Sequence, residues 1–426
     1  MEGDNGESLI RITTNNKKFE RCSSYAGDEL RSFRTCLRWM CVDAQNHLVS
    51  SLISWSVFVL LSVVVPAVSH FVLSYNVRRR SFDSVVQLSL SAVSALSFVT
   101  LSGFVRRYGL RKVLFIDKLC GESDMVRDCY IQQLQRSFKL LLCFVVPCFF
   151  TECAYKVYWY CSGARRIPFL GNPYASDAVA CLLELWSWLY RASTFFLVCI
   201  LFRLICHLQI LRLQDFACVF QVESDVALVL KEHLRIRRQL RVISHRFRAF
   251  IISCLTTVTA SLFASLLVTT RSHAVVNLFT AGELALCSIV LVTGMLVCLR
   301  SAAKITHKAQ AITSLAAKWH ICATIDSFDA DTETPHACTN RVFPLHVDSD
   351  EEEVPDDDDM GDTQVVAPHL NTISFQKRQA LVTYLENNRA GITVFGFMVD
   401  RAWLHTIFGV ELSLVLWLLG KTVGIS

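Results

Sequence analysis

The chain has 426 residues, 53% of them hydrophobic and 19% charged, with a mean hydropathy of +0.40. That balance excludes an ordinary soluble domain. The formal net charge of +5 matters less than where the basic residues lie.

Met1 to Arg31 is polar and reads as a disordered cytosolic N-terminus, residues 1–31. About 47 polar residues precede the first apolar run, so no cleavable signal is expected. Asp28 to Cys41 places Leu30, Phe33, Leu37 and Met40 on one helical face. This is the pattern of a short amphipathic helix lying along the inner membrane surface.

Seven apolar stretches then follow, each long enough to cross a bilayer, which takes about 20 residues of helix. They fall near Leu48–Tyr75, Phe82–Val105, Ser137–Tyr160, Ala178–Phe202, Ala249–Thr270, Asn277–Leu299 and Ala402–Gly420. The second is rich in serine (Ser89, Ser91, Ser94, Ser97, Ser102), as suits a helix packed closely on others. The expected fold is all-α, a polytopic bundle of seven transmembrane helices.

The segments before span one, between spans two and three, between four and five, and between six and seven hold 32 Lys and Arg, against 8 on the other side. The positive-inside rule therefore puts the N-terminus in the cytosol and the C-terminus on the extracytosolic side. Only Arg78–Arg80 argues the other way. A cytosolic N-terminus also disfavours a G-protein-coupled receptor. The assignment is a multi-pass integral membrane protein, with plasma membrane and endomembrane both open.

Between the spans, Arg106 to Gln135 is a polar inner connection with helical apolar spacing (Val113, Ile116, Leu119). Beyond span four, Leu204, Leu208 and Leu211 continue one stripe, and Asp215 to Arg248 contains no Pro or Gly. Long helices projecting into the cytosol are expected there. The basic residues of KEHLRIRRQLR read as a solvated face near anionic lipid, with no nucleic-acid partner. Residues 32–325 thus hold spans one to six with cytosolic helical extensions.

Residues 326–371 form a low-complexity loop containing DSDEEEVPDDDDMGD. Its charges repel and it has nothing from which to build a core, so disorder is expected. Ser349, followed by acidic residues, is a candidate phosphorylation site. Residues 372–426 comprise a cytosolic helix and span seven.

The 18 cysteines form no C-x-x-C pair and read as small apolar residues. A Cys161–Cys181 disulfide is one pairing that the outer side permits. There is no GxGxxG, P-loop, HExxH or GxSxG, and the 12 His do not cluster at metal spacing. No catalytic residue, cofactor or metal is expected.

The residues left to carry chemistry are ionisable groups inside spans: Glu152, Glu184, Arg191, Glu283 and Glu411. Such groups are costly in lipid and mostly face a protein interior or a wet cavity. The first four lie in the outer half or middle of their spans. Glu184 and Arg191 are seven residues apart, on one helical face with Trp188. Two readings stand side by side: an outward-open small-molecule pocket formed by Glu152, Glu184, Trp188, Arg191 and Glu283, or an Arg191–acid pair that holds the bundle together. Glu411 likewise has two. It is either a helix–helix hydrogen bond to a Ser or Thr, or a ring of acids from several subunits along a cation pathway, with Leu414 or Leu418 as the constriction.

The segment GFMVDRAWLHTIFG carries a resemblance. From LRSFRTCLRWMCVDAQNHLVSSLISW onward the chain resembles a plant family of uncharacterised seven-span proteins, similar in turn to insect gustatory and odorant receptors. On the motif F-x-x-D-R-x-x-L-x-x-I-x-G, the matching positions are Phe397, Asp400, Arg401, Leu404, Ile407 and Gly409. The resemblance implies long cytosolic helix extensions and a last helix split into cytosolic and membrane parts. It also implies a homotetrameric, ligand-gated cation channel with that helix around the pore and an unidentified small-molecule ligand. The alternative is a non-conducting membrane receptor or scaffold. Further along, where insect gustatory receptors carry Thr-Tyr and Gln-Phe pairs, this chain has Ser413–Leu414 and Gly420–Lys421, and Glu411 lies outside the insect pattern.

Overall fold

The computed structural model of the chain describes residues 48–74, 82–113, 124–161, 173–222, 226–270, 278–329 and 375–423. An apolar segment in lipid must satisfy its own backbone hydrogen bonds, and helices do so. The described chain is accordingly helical apart from one hairpin. The helices are α1 (Leu48–Val59) and α2 (Val65–Ser74), joined by a π-helical turn at Leu60–Val64, then α3 (Asp83–Val113), α4 (Asp124–Cys161), α5 (Pro173–Val222), α6 (Val226–Thr269), α7 (Leu278–Asp329) and α8 (Phe375–Asn387). The strands β1 (Thr393–Val394) and β2 (Phe397–Met398) follow, and α9 (Arg401–Val423) closes the described chain. Seven segments among the described residues are long and apolar enough to span a membrane, from Ser51–Phe71 to Arg401–Lys421. This is the seven-span, multi-pass architecture that the hydropathy pattern predicts.

The helix α5 is the hub. Of its apolar stretch 83% is buried, against 22% for α4 and 17% for α9. It packs on α3, α4, α6 and α7. The close approach of α5 to α7 uses Gly294, since a Cβ there would stand 2.3 Å from Phe195 Cε1.

The helices α5, α6 and α7 have 50, 44 and 52 residues, about 75, 66 and 78 Å at 1.5 Å per residue. Each is more than twice the roughly 30 Å apolar thickness of a bilayer. The C-terminal part of α5, the N-terminal part of α6 and the C-terminal part of α7 therefore continue together beyond the apolar layer. Their shared core includes Phe216, Ile236, Leu240, Ile243 and Trp319, with Leu381 and Leu385 of α8. The stripe Leu204, Leu208 and Leu211 and the absence of Pro and Gly from 215 to 248 anticipate the extensions of α5 and α6, and α7 continues to Asp329.

The hairpin interrupts the helical pattern between α8 and α9, with Thr393 opposite Met398 and Val394 opposite Phe397. Its two turn residues, Phe395 and Gly396, have φ of 49° and 93°, the signs of a type I′ turn. Ile392 N–H donates to Thr306 Oγ1 (3.1 Å) and Thr393 N–H to Ser244 Oγ (3.1 Å), so the hairpin is moored to α7 and α6.

The N-terminal segment 1–31, the amphipathic stretch Asp28–Cys41, Ser349 and the acidic run lie outside the described residues. No disulfide joins Cys161 and Cys181, so the outer pairing that sequence position permits is not formed. Cys181 points into the protein while Cys161 is exposed.

Candidate functional site

Pro66 sets the local backbone of the first span. Lacking an N–H, it cannot bond back to the preceding turn of its helix. The π turn at Leu60–Val64, where Val65 N–H reaches Leu60 O, shifts the ladder at the same place. The carbonyls released there are satisfied from other helices: Ser187 Oγ of α5 donates to Leu61 O (2.5 Å) and Ser91 Oγ of α3 to Ser62 O (2.8 Å). These bonds fix the π turn, α3 and α5 around one polar recess.

Lys156 of α4 lies at the heart of that recess and is only 1% exposed. Its Nζ stands 2.9 Å from Glu283 Oε1 of α7, 3.0 Å from Glu184 Oε2 of α5 and 3.6 Å from Glu152 Oε1, one turn back on α4. Glu184 Oε1 also accepts from Ser69 Oγ of α2 and from Tyr160 Oη (3.2 Å). One ammonium thus gathers carboxylates from three helices, and a fourth helix is tied on by a serine.

Arg191, 2% exposed, borders the same recess, but its hydrogen bonds run to oxygens that carry no charge. Nε donates to Ser187 O (3.3 Å), and Nη1 to Gln87 O (3.4 Å) and Ser91 Oγ (3.2 Å). Gln87 Nε2 in turn donates to Asp83 Oδ1 (3.2 Å), and Asp83 Oδ2 lies 3.3 Å from His70 Nδ1. A polar path therefore leads from half-exposed His70 to the buried cluster. The recess lined by Val65, Pro66, Trp188, Arg191, Glu152 and Glu184 has no room for a water-sized sphere. Lys156 fills the recess.

The structure brings Glu152, Glu184, Trp188, Arg191 and Glu283 to one locality. The organising residue, Lys156, is one that topology counting assigns to the outer side. The signal was present in sequence: Glu152 and Lys156 are four apart, a spacing that pairs charges on one helix face.

At the last helix, Glu411 is 1% exposed and faces α6 of its own chain. Thr259 Oγ1 donates to Glu411 Oε1 (2.7 Å) while also reaching Leu255 O (2.9 Å). Leu418 is buried, and Leu414 packs half-buried on the same core. The opposite face of α9 is uncovered. It carries Ala402, Thr406, Gly409, Ser413 and Leu416, all exposed.

The motif residues have local roles. Asp400 caps α9 by accepting from Trp403 N–H (2.8 Å), Leu404 and Ile407 pack on the core, and Arg401, Phe397 and Gly409 are exposed. No three His, Cys, Asp or Glu among the described residues group as a metal site.

Comparison with known proteins places this architecture. The family described as "protein of unknown function (DUF3537)" matches over residues 28–410. The chain belongs to this family. No curated protein matches the sequence. An insect olfactory receptor from Machilis hrabei, solved in complex with eugenol, aligns with 92% of this chain and 99% of its own at a TM-score of 0.53 and 12% identity. A second structure of that receptor gives a TM-score of 0.50 and 11% identity over the same shares. This DUF3537 member therefore has the seven-helix fold of insect olfactory receptors.

Proposed function

We propose that the protein is a homotetrameric, ligand-gated cation channel of the gustatory- and odorant-receptor kind, in which α9 of each subunit lines a central pore. The observation that carries this reading is the uncovered face of α9. At 3.6 residues per turn, Ala402, Thr406, Gly409 and Ser413 fall within about 60° of one another. They form a stripe of small and hydroxyl-bearing groups on a helix whose opposite side, with Glu411, Val415 and Leu418, is buried in the bundle. Thr406 and Ser413 donate to Ala402 O (3.0 Å) and Gly409 O (2.6 Å), which leaves hydroxyl lone pairs to face water. Leu416, 57% exposed, sits on the same side and supplies an apolar constriction.

On this reading the pore wall is not Glu411, Leu414 and Leu418, whose side chains serve packing within the subunit. The ligand site is the recess around Lys156 and Arg191, which a small molecule enters by displacing Lys156 from its carboxylates. The basic-residue count puts the helical extensions and the N-terminus in the cytosol. The burial of Glu411 against Thr259 also suits a second reading, a non-conducting receptor or scaffold in which α9 only stabilises the bundle.

The two readings separate on the assembly. The full-length chain is purified in mild detergent and its mass measured under native conditions, followed by single-particle imaging. A four-fold particle with α9 around the axis is expected. A monomer or dimer with the Thr406–Ser413 face turned to lipid would overturn the channel.

A further inference from the structure

The hairpin between α8 and α9 presents two large apolar side chains that the chain itself leaves uncovered. Phe395 is 59% and Phe397 78% exposed, and nothing lies within 4 Å of where a Cβ on Gly396 would stand. Looseness does not explain this exposure. Ile392, Val394 and Val399 at the hairpin base are buried, Val399 N–H donates to Ile392 O (3.0 Å), and the bonds to Thr306 and Ser244 hold the base on two helices.

Phe395 is also in the wrong place for comfort. A φ of 49° is disfavoured for a bulky side chain, and this position of a type I′ turn ordinarily takes Asn, Asp or Gly. The outcome of putting Phe there is an aromatic ring held at the tip, with the Arg248 guanidinium 5.1 Å from its centroid.

The level of the tip follows from the chain on either side. Arg248 immediately precedes the apolar run that begins at Ala249, and Arg401 opens the apolar segment Arg401–Lys421. The hairpin is therefore at the edge of the apolar layer, on the side carrying the long helix extensions. Arg248 lies 3.3 Å from His245, and Arg241 and Arg246 stand on the adjoining turns of α6, so the charge beside the tip is positive.

We propose that Phe395–Gly396–Phe397 is a lipid wedge: the two rings enter the headgroup–acyl boundary of that leaflet, and Arg248 meets the phosphate of an anionic phospholipid. Phe beside Lys or Arg is the composition with which interfacial segments enter the headgroup–acyl boundary, and a local positive charge complements an anionic leaflet. A second copy of the chain would bring the same cations together, which disfavours it as the occupant. The proposal stands whether or not the protein conducts.

The test is photocrosslinking of the full-length chain in vesicles of phosphatidylcholine and phosphatidylserine, with p-benzoylphenylalanine replacing Phe397. The expected result is a peptide shifted by the mass of one phospholipid, with no such shift when the label replaces Gln379 on the exposed side of α8. Phosphatidylserine should be over-represented in the adduct, and Arg248→Ala should abolish that preference. Phe395 is a second labelling position should the Phe397 variant fail to reconstitute. Crosslinks to another copy alone, an unshifted peptide, or a phosphatidylserine preference that survives Arg248→Ala would overturn the proposal.

Discussion

Replacing Lys156 by Met keeps the volume of the side chain and removes the ammonium that three carboxylates share. Two of its contacts are at 2.9 and 3.0 Å and the third is at 3.6 Å. At an effective dielectric of about 20, each close pair represents about 6 kcal/mol of Coulomb attraction. Most of this offsets the cost of dehydrating the groups, so the net loss is better taken from broken buried pairs, about 3–5 kcal/mol. Lys156→Met should lose that much. Glu283→Gln alone should lose less, because Lys156 keeps Glu184 and Glu152. The double variant Lys156→Met/Glu283→Gln should recover part of the loss, since one uncompensated charge has gone. The assay is equilibrium unfolding of the purified full-length chain by SDS in mixed micelles, read by far-UV circular dichroism. A cost below about 1 kcal/mol for Lys156→Met, outside the range for breaking a buried pair, would refute the reasoning. So would a Glu283→Gln variant less stable than Lys156→Met.

Other substitutions probe separate parts of the molecule. Gly294→Ala drives a Cβ to 2.3 Å from the buried ring of Phe195 and should cost about 1–3 kcal/mol by overpacking. Gly409→Ala meets nothing within 4 Å and should melt at or above the parent temperature. Thr259→Val removes the donor to Glu411 and should cost about 1–3 kcal/mol, whereas Glu411→Gln keeps an acceptor there and should cost under about 1 kcal/mol; SDS unfolding ranks the two. Asp400→Ala deletes the cap on Trp403 N–H, worth about 1 kcal/mol, and should speed hydrogen exchange at the first amides of α9 with little change in α7.

Hydropathy alone located every span, because a run of apolar residues in lipid has few ways to satisfy its backbone. The extension of α5 was legible too, since Leu204 and Leu208 keep the helical stripe going past the membrane and are fully buried. Placement of charge was harder. Lys156 sits near the end of an apolar run, where a lysine ordinarily reaches water, and only the neighbouring helices show that it turns inward to Glu184 and Glu283. Glu411 posed the reverse problem: its sequence context fits a pore acid, and its partner Thr259 lies 152 positions away. The hairpin had a visible but weak signal. Thr393 and Val394 favour strands and Gly396 marks a turn, yet two-residue strands leave no alternation to count. The cap made by Asp400 is the most local of these contacts and could have been read directly, since Asp before an apolar helix is a standard start signal.

The helix α7 has no proline in its 52 residues, and it carries Glu283 of the buried cluster, Gly294 beneath Phe195, and Thr306 of the hairpin mooring. Gly294 is eleven residues from Glu283 and twelve from Thr306, about 17 and 18 Å along the axis. Gly294 lies midway between these two attachments, so a stiff rod pivoting there acts as a balanced lever between them. On the proposed ligand entry, in which Lys156 leaves its carboxylates, a pull on the Glu283 end would swing the Thr306 end the opposite way by a similar distance. The hairpin and the first turn of α9 are bolted to that end. Movement at one face of the membrane would thus reach the other with its direction reversed and its amplitude kept.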